Sequence, residues 1–166
     1  NDIVGIREYL NELDTNLSIL DSSIRTGNSM ADAILNSKVS LAKAREIDVR
    51  VDAHIPVKLK ISEIDLCCIL GNLFDNAIDA SMALPPQNRL IRVYMDMKGS
   101  RLYISFTNFT SQKKLGKLGR VFATTKGLGH GLGLSRIETI VEKHDRYLSF
   151  NSEDGAFTAE ILLPQE

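Results

Sequence analysis

This chain of 166 residues is poor in the features that usually announce a secreted, metal-bound or nucleic-acid-binding protein. It has two cysteines, and they are neighbours, Cys67 and Cys68. Adjacent thiols cannot close a disulfide framework or supply a tetrahedral metal site, and this usage fits a reducing compartment. The net charge is −1, so no general field draws the chain toward nucleic acid or an anionic membrane. No secretory leader and no run of 18 apolar residues is present, and no internal repeat is visible. The first residue is Asn1 rather than Met, and the chain reads as a piece of something longer. What remains is ordinary globular composition, 43% hydrophobic and 25% charged, with length enough for one domain around a real core.

Apolar residues recur at Ile3, Ile6, Leu10, Leu13, Leu17, Leu20 and Ile24, alternating three and four apart. That narrow seam predicts a coiled-coil or bundle helix over residues 1–25, interrupted at Thr26-Gly27-Asn28. Ser29 is placed to cap a second helix running to about Arg45, with Met30, Ala33, Ile34, Leu41 and Ala44 as its buried face. The run "IDVRVDAHI" alternates at period two and predicts a strand stopped by Pro56. Ser62, with Asp65 three residues on, opens the next helix, which ends near "ALPPQN". The runs "LIRVYMDM" and "RLYISFTN", joined at Lys98-Gly99-Ser100, predict a hairpin, as do "YLSFNS" and "AFTAEILL" about Asp154-Gly155. A helix is predicted from about Leu132 to Lys143. The whole reads as α+β, a mixed and mostly antiparallel sheet packed on helices in two layers. Residues 109–131 form a long polar segment that favours a lid over a structural element.

The stretch "TTKGLGHGLGLSRI" carries Gly127, Gly129, Gly131 and Gly133 and runs into a helix. Alternating glycines free backbone N–H groups to face an anion, and a helix start adds its dipole. Lys126 adds charge, and Thr124 and Thr125 add hydroxyls. This is a phosphate-binding composition. It matches neither the Walker pattern nor the dinucleotide fingerprint.

Upstream, "GNLFDNAIDA" places Asn72 and Asn76 on one helix face, flanked by Asp75 and Asp79. An asparagine carbonyl is a hard, neutral oxygen suited to a magnesium ion already held by water and phosphate. A polar face hydrogen-bonded to a neighbouring loop is the structural alternative; the glycine segment downstream favours the metal.

These residues resemble a known superfamily. "LGNLFDNAIDA" resembles the N-box of the GHKL ATPases, "TTKGLGHGLGL" the second glycine box, and "VFATTK" the short phenylalanine box. The tail "SRIETIVEKHDRYLSFNSEDGAFTAEILLP" resembles the end of a sensor histidine kinase catalytic domain. "TGN" and the form of the N-box resemble the peptide-pheromone-receptor and LytS-like branch. The resemblance implies a Bergerat-type fold over residues 29–166, with the lid at about 109–131, preceded by the second helix of a dimerisation bundle. It implies ATP with Mg²⁺ as cofactors, Asn76 ligating the metal and Asn72 supporting the metal or the phosphates. Lys126 and the backbone of Gly129, Gly131 and Gly133 would hold the β- and γ-phosphates, beside Thr124 and Thr125, and Leu134 would pack near the nucleotide. Catalytic roles fall on Asn72, Asn76 and Lys126.

The implied reaction passes the γ-phosphate to a histidine outside this chain and then to a response regulator. Implied partners are that regulator and the dimerisation helices of a second subunit, with no nucleic acid. The implied setting is the cytoplasmic portion of a membrane-bound sensor. A regulatory ATP-binding module or an anti-sigma-type kinase is the alternative. Three departures from the family stand out. Asn108 occupies the place of the adenine-binding aspartate, and "FTS" follows it without the glycines of the first glycine box. Asp79 and Ala80 stand where many kinases carry a basic residue and an aromatic. None of His54, His130 and His144 lies on the N-terminal helix, so no acceptor histidine is expected here.

Overall fold

The computed structural model describes residues 24–111, 117–118, 121–122, 136–142 and 147–165. All of the heptad seam before Ile24 lies outside them. Ile24 itself is not helical: it packs against the hydrophobic core as a half-buried residue.

Helix α1 spans Ser29–Ala44. Its cap is Asn28 and not Ser29, because the Asn28 side chain accepts from the Ala31 amide at 3.1 Å. Its buried residues also differ from expectation. Ala31, Leu35 and Ala42 are buried, whereas Ala33 and Ala44 are exposed, Leu41 is 39% exposed, and Met30 and Ile34 are half-buried. The buried stripe is rotated from the expected one: Ala31, Leu35 and Ala42 face inward in place of Ala33, Leu41 and Ala44.

Strand β1 (Asp48–Ala53) is followed by α2 (Glu63–Ser81), which Ser62 caps by accepting from the Asp65 amide at 3.1 Å. Then come a 3₁₀ turn at Pro86–Asn88 and strands β2 (Leu90–Lys98) and β3 (Arg101–Phe109). The β2–β3 turn is the two residues Gly99 and Ser100, one fewer than expected, with Gly99 at φ 64°. Within the polar segment, Lys117–Leu118 (β4) and Val121–Phe122 (β5) form a small antiparallel ladder, so this region is not wholly irregular. Residues 136–142 are helical (α3), and β6 (Tyr147–Glu153) turns at Asp154-Gly155 into β7 (Ala156–Pro164).

The main sheet has the order β1-β2-β3-β7-β6. Only β1 and β2 are parallel, and α2 makes the crossover that a parallel pair requires. One face of the sheet is covered. Leu66, Ile69, Leu70, Leu73, Phe74, Ala77 and Ile78 of α2 form one cluster with Ile91, Val93 and Met95 of β2, Leu102, Ile104 and Phe106 of β3, and Ile161 and Leu163 of β7. Phe74 meets Phe106 edge-on at 5.1 Å and so pins α2 over β3. The opposite face is more open, as antiparallel sheets allow, and carries Tyr94 and Tyr103 with Lys98 above them.

Candidate nucleotide-binding site

Phe74 fixes the rotation of α2. At about 100° per residue, Asn72 and Asn76 lie roughly 160° and 200° round from it, on the side of the helix turned away from the Phe74 contact. Both are half-buried. Asp75 is exposed and pairs with Lys38 of α1 at 2.6 Å, so it ties the two helices together outside the asparagine face. Such a pair at the surface contributes at most about 1 kcal/mol.

The two site asparagines are held differently. Asn72 donates from Nδ2 to the Cys68 carbonyl at 2.7 Å and lies 3.2 Å from the Cys68 sulfur. A carbonyl oxygen can only accept, so the amide nitrogen must be the atom facing it. Asn76 is the opposite case. Its Nδ2 is shielded from solvent and has no hydrogen-bond partner among the described residues. A buried amide nitrogen without a partner costs about 1–3 kcal/mol and invites a functional explanation.

Asn108 lies at the end of β3, in register with Ile91 and Phe157. It is 4% exposed and continues the inward row of Leu102, Ile104 and Phe106, so it lies on the sheet face that α2 covers. Its Nδ2 donates to the Phe109 carbonyl at 3.1 Å, which leaves its oxygen as the acceptor. That is the chemistry needed to receive an adenine amino group, though without the charge an aspartate would bring. Thr124, Thr125, Lys126, Gly129, Gly131, Gly133 and Leu134 lie outside the described residues.

The residues present fit a magnesium nucleotide. Among the described residues no group of three or more His, Cys, Asp and Glu could hold a metal, so an ion here would rest on neutral amide oxygens and on the ligand itself. Magnesium accepts that arrangement, because it keeps most of its water and binds through phosphate. The unpartnered Asn76 nitrogen is a donor fit for a phosphate oxygen or a water.

Two nearby features stand apart from the asparagines. A groove of about 540 Å³ is lined by Asp48, Arg50, Arg89, Leu90, Phe109 and Thr110 among others, but by none of the three asparagines. Its arginines are engaged: Arg89 donates to the Leu84 and Arg45 carbonyls, and Arg50 pairs with Asp48. Cys67 is half-buried, and burial, with help from Glu63 and Cys68, raises its thiol above the ordinary range. The role of Cys68 as a contact of Asn72 is a residue the sequence reading missed, although the four-residue spacing on one helix was there to suggest it.

The GHKL domain family profile matches residues 61–164, more than half of the chain. The chain belongs to the GHKL family. Among curated proteins, it is 31% identical over 128 residues to the sensor histidine kinase ZraS of Escherichia coli, covering 74% of this chain and 27% of that protein. It is 27% identical over 147 residues to a probable C4-dicarboxylate sensor kinase of Halalkalibacterium halodurans, covering 84% of this chain and 28% of that protein. The GHKL chain thus spans little more than a quarter of these relatives. Among solved structures, the nucleotide-free catalytic domain of histidine kinase ThkA matches with a TM-score of 0.65 at 16% identity, over 85% of this chain and 93% of that one. Acinetobacter baumannii histidine kinase AdeS matches with a TM-score of 0.60 at 15% identity, over 100% of this chain and 81% of that one. At such identities the likeness establishes the fold, which is that of histidine kinase catalytic domains.

Proposed function

We propose that this chain is the ATP-binding catalytic part of a two-component sensor histidine kinase. It holds Mg-ATP between α2 and the segment around residues 109–131, and presents the γ-phosphate to a histidine on another helix. The phosphoryl group then passes to a response regulator. The observation that carries this reading is the set of three amides in a GHKL fold: Asn72 and Asn76 one turn apart on α2, and Asn108 at the end of β3, two of them with their nitrogens already engaged.

The bound ion would supply charge neutralisation of the phosphates. The protein's share is positioning, which dominates phosphoryl transfer because little covalent chemistry falls to the enzyme. Asn76 would ligate the metal, Asn72 would support it, and Asn108 would receive the adenine amino group. Lys126 and Gly129, Gly131 and Gly133 would hold the phosphates. Asn72 occupies the place where hydrolytic relatives need a base, and an amide cannot take a proton, so hydrolysis is slow.

The parent is proposed to be a membrane sensor with this part in the cytoplasm; no helix among the described residues is long and apolar enough to cross a membrane. Calorimetry should show Mg-ATP binding to this chain. Incubation with radiolabelled ATP should leave the chain itself unlabelled, while a longer chain with the upstream helix gains acid-labile label. No ATP binding by the wild type, or acid-labile label on this fragment, overturns the assignment.

A further inference from the structure

This inference rests on the nucleotide site just proposed. We propose that Cys68 is a positioning residue that locks the Asn72 amide with its oxygen toward the nucleotide, so that Asn72 serves the magnesium side of the ligand and not the phosphates. The amide NH₂ has two hydrogens. The Cys68 carbonyl, at 2.7 Å, and the Cys68 sulfur, at 3.2 Å, offer one acceptor for each. Both lie on the preceding turn of the same helix, so the lock forms within α2 and does not depend on how the domain is assembled around it.

With its donors engaged, Asn72 meets a ligand through Oδ1 alone, and Oδ1 can only accept. Phosphate oxygens are acceptors too and would be repelled. A metal ion, or a water polarised by one, is the matching partner. Asn76, four residues on, has no such anchor on its nitrogen. The two amides are therefore not interchangeable. Asn72 is turned to one chemistry, whereas the Asn76 nitrogen is still available to an acceptor. Any other acceptor at residue 68 would serve as well as sulfur, and an apolar side chain of similar size would leave half the lock.

The test is calorimetric ATP binding by the full chain, once with MgCl₂ and once with EDTA, with melting curves to confirm folding. Cys68→Val should weaken binding in magnesium by about 3–10-fold, the value of one net hydrogen bond, and leave binding in EDTA unchanged. Cys68→Ser, which keeps an acceptor, should restore the magnesium value to within about twofold. Asn72→Asp should widen the gap between the two conditions by about tenfold, because a carboxylate attracts the ion and repels bare phosphate. The proposal is overturned if Asn72→Asp weakens binding equally in both conditions, or if Cys68→Val and Cys68→Ser behave alike. A wild-type chain that binds ATP in neither condition would instead remove the proposed function beneath it.

Discussion

Four asparagines divide this molecule into two kinds of polar site. Where the segment from Ile24 to Gly27 meets α1, Asn28 at the helix cap and Asn36 within the helix use both ends of their amides on the chain itself. Asn28 accepts from Ala31 and donates to the Pro56 and Val57 carbonyls at 3.4 and 3.2 Å. Asn36 accepts from the Ile24 amide at 2.8 Å and donates to the Ile24 carbonyl at 3.0 Å. Asp32 completes the stitching by accepting from the Thr26 amide and hydroxyl. On α2 the pattern changes: Asn72 uses only its nitrogen, and the Asn76 nitrogen has no partner. An amide engaged at both ends is structure. An amide with one end in reserve is a candidate for binding, and its incomplete bonding is a stability cost that a ligand or a bound water can offset.

The sharpest way to break this comparison is at Gly27, inside the first region. Its φ is +102°, and an added Cβ would sit 2.7 Å from the Ile55 carbonyl oxygen. Gly27→Ala should lower unfolding free energy by about 3 kcal/mol, measured by urea denaturation, from backbone strain and the clash together.

Next come the asparagines themselves. Asn28→Ala should cost about 2 kcal/mol, since it removes a helix cap and strands two carbonyls. Asn76→Ala should not destabilise the fold, because its nitrogen has no bond to lose and is itself a cost where it sits. It should still weaken Mg-ATP binding by more than about tenfold, through loss of the proposed metal ligand. Equal destabilisation by the two variants would erase the distinction.

Alkaline pH offers a milder perturbation that spares all four amides, which do not titrate. Cys67 is raised chiefly by burial, as is Tyr103, and Lys98 is raised chiefly by its hydrogen bond to Tyr94. All three hold their protons more firmly when folded. Their contribution is present below the unfolded pKa values and is lost as pH rises through the folded ones. Melting temperature should therefore fall as pH climbs from about 8.5 toward 11, while it stays level between about 6 and 8 on account of these groups. The same shift should make Cys67 slow to alkylate near neutrality.

The smallest effect is expected at Gly71, in the middle of α2. An added Cβ would lie 3.9 Å from the Ile34 Cδ1, an ordinary contact, and its conformation is helical. Gly71→Ala should therefore stabilise by about 0.5–1 kcal/mol, read as a rise in melting temperature.

Local rules carried much of the fold. Ser62 capped α2 as its spacing to Asp65 implied, and the turns at Gly99 and Gly155 fell where glycine with positive φ was needed. Period-two alternation placed β1, β2, β3, β6 and β7, because a strand with one face on the core shows its burial directly in its sequence. The rule failed where two acceptable answers lay side by side. Asn28 and Ser29 can each cap, and the choice fell to Asn28, whose amide also reaches carbonyls 28 and 29 residues away. The buried stripe of α1 depended on which of its sides packs against the rest of the domain, which no local window reports.

The sequence by itself determined the order of α1, α2 and the five strands of the main sheet, the pairing of Asn72 and Asn76 on one helix face, and the GHKL motifs, because each depends on residues within a few positions of one another. Tertiary structure alone decided that Asp75 serves α1 through Lys38, that Asn108 faces the layer covered by α2, and that the Asn76 nitrogen is buried without a partner. Those outcomes depend on which distant surfaces meet. A polar group's chemistry follows from the donors and acceptors around it in space, not from its neighbours along the chain.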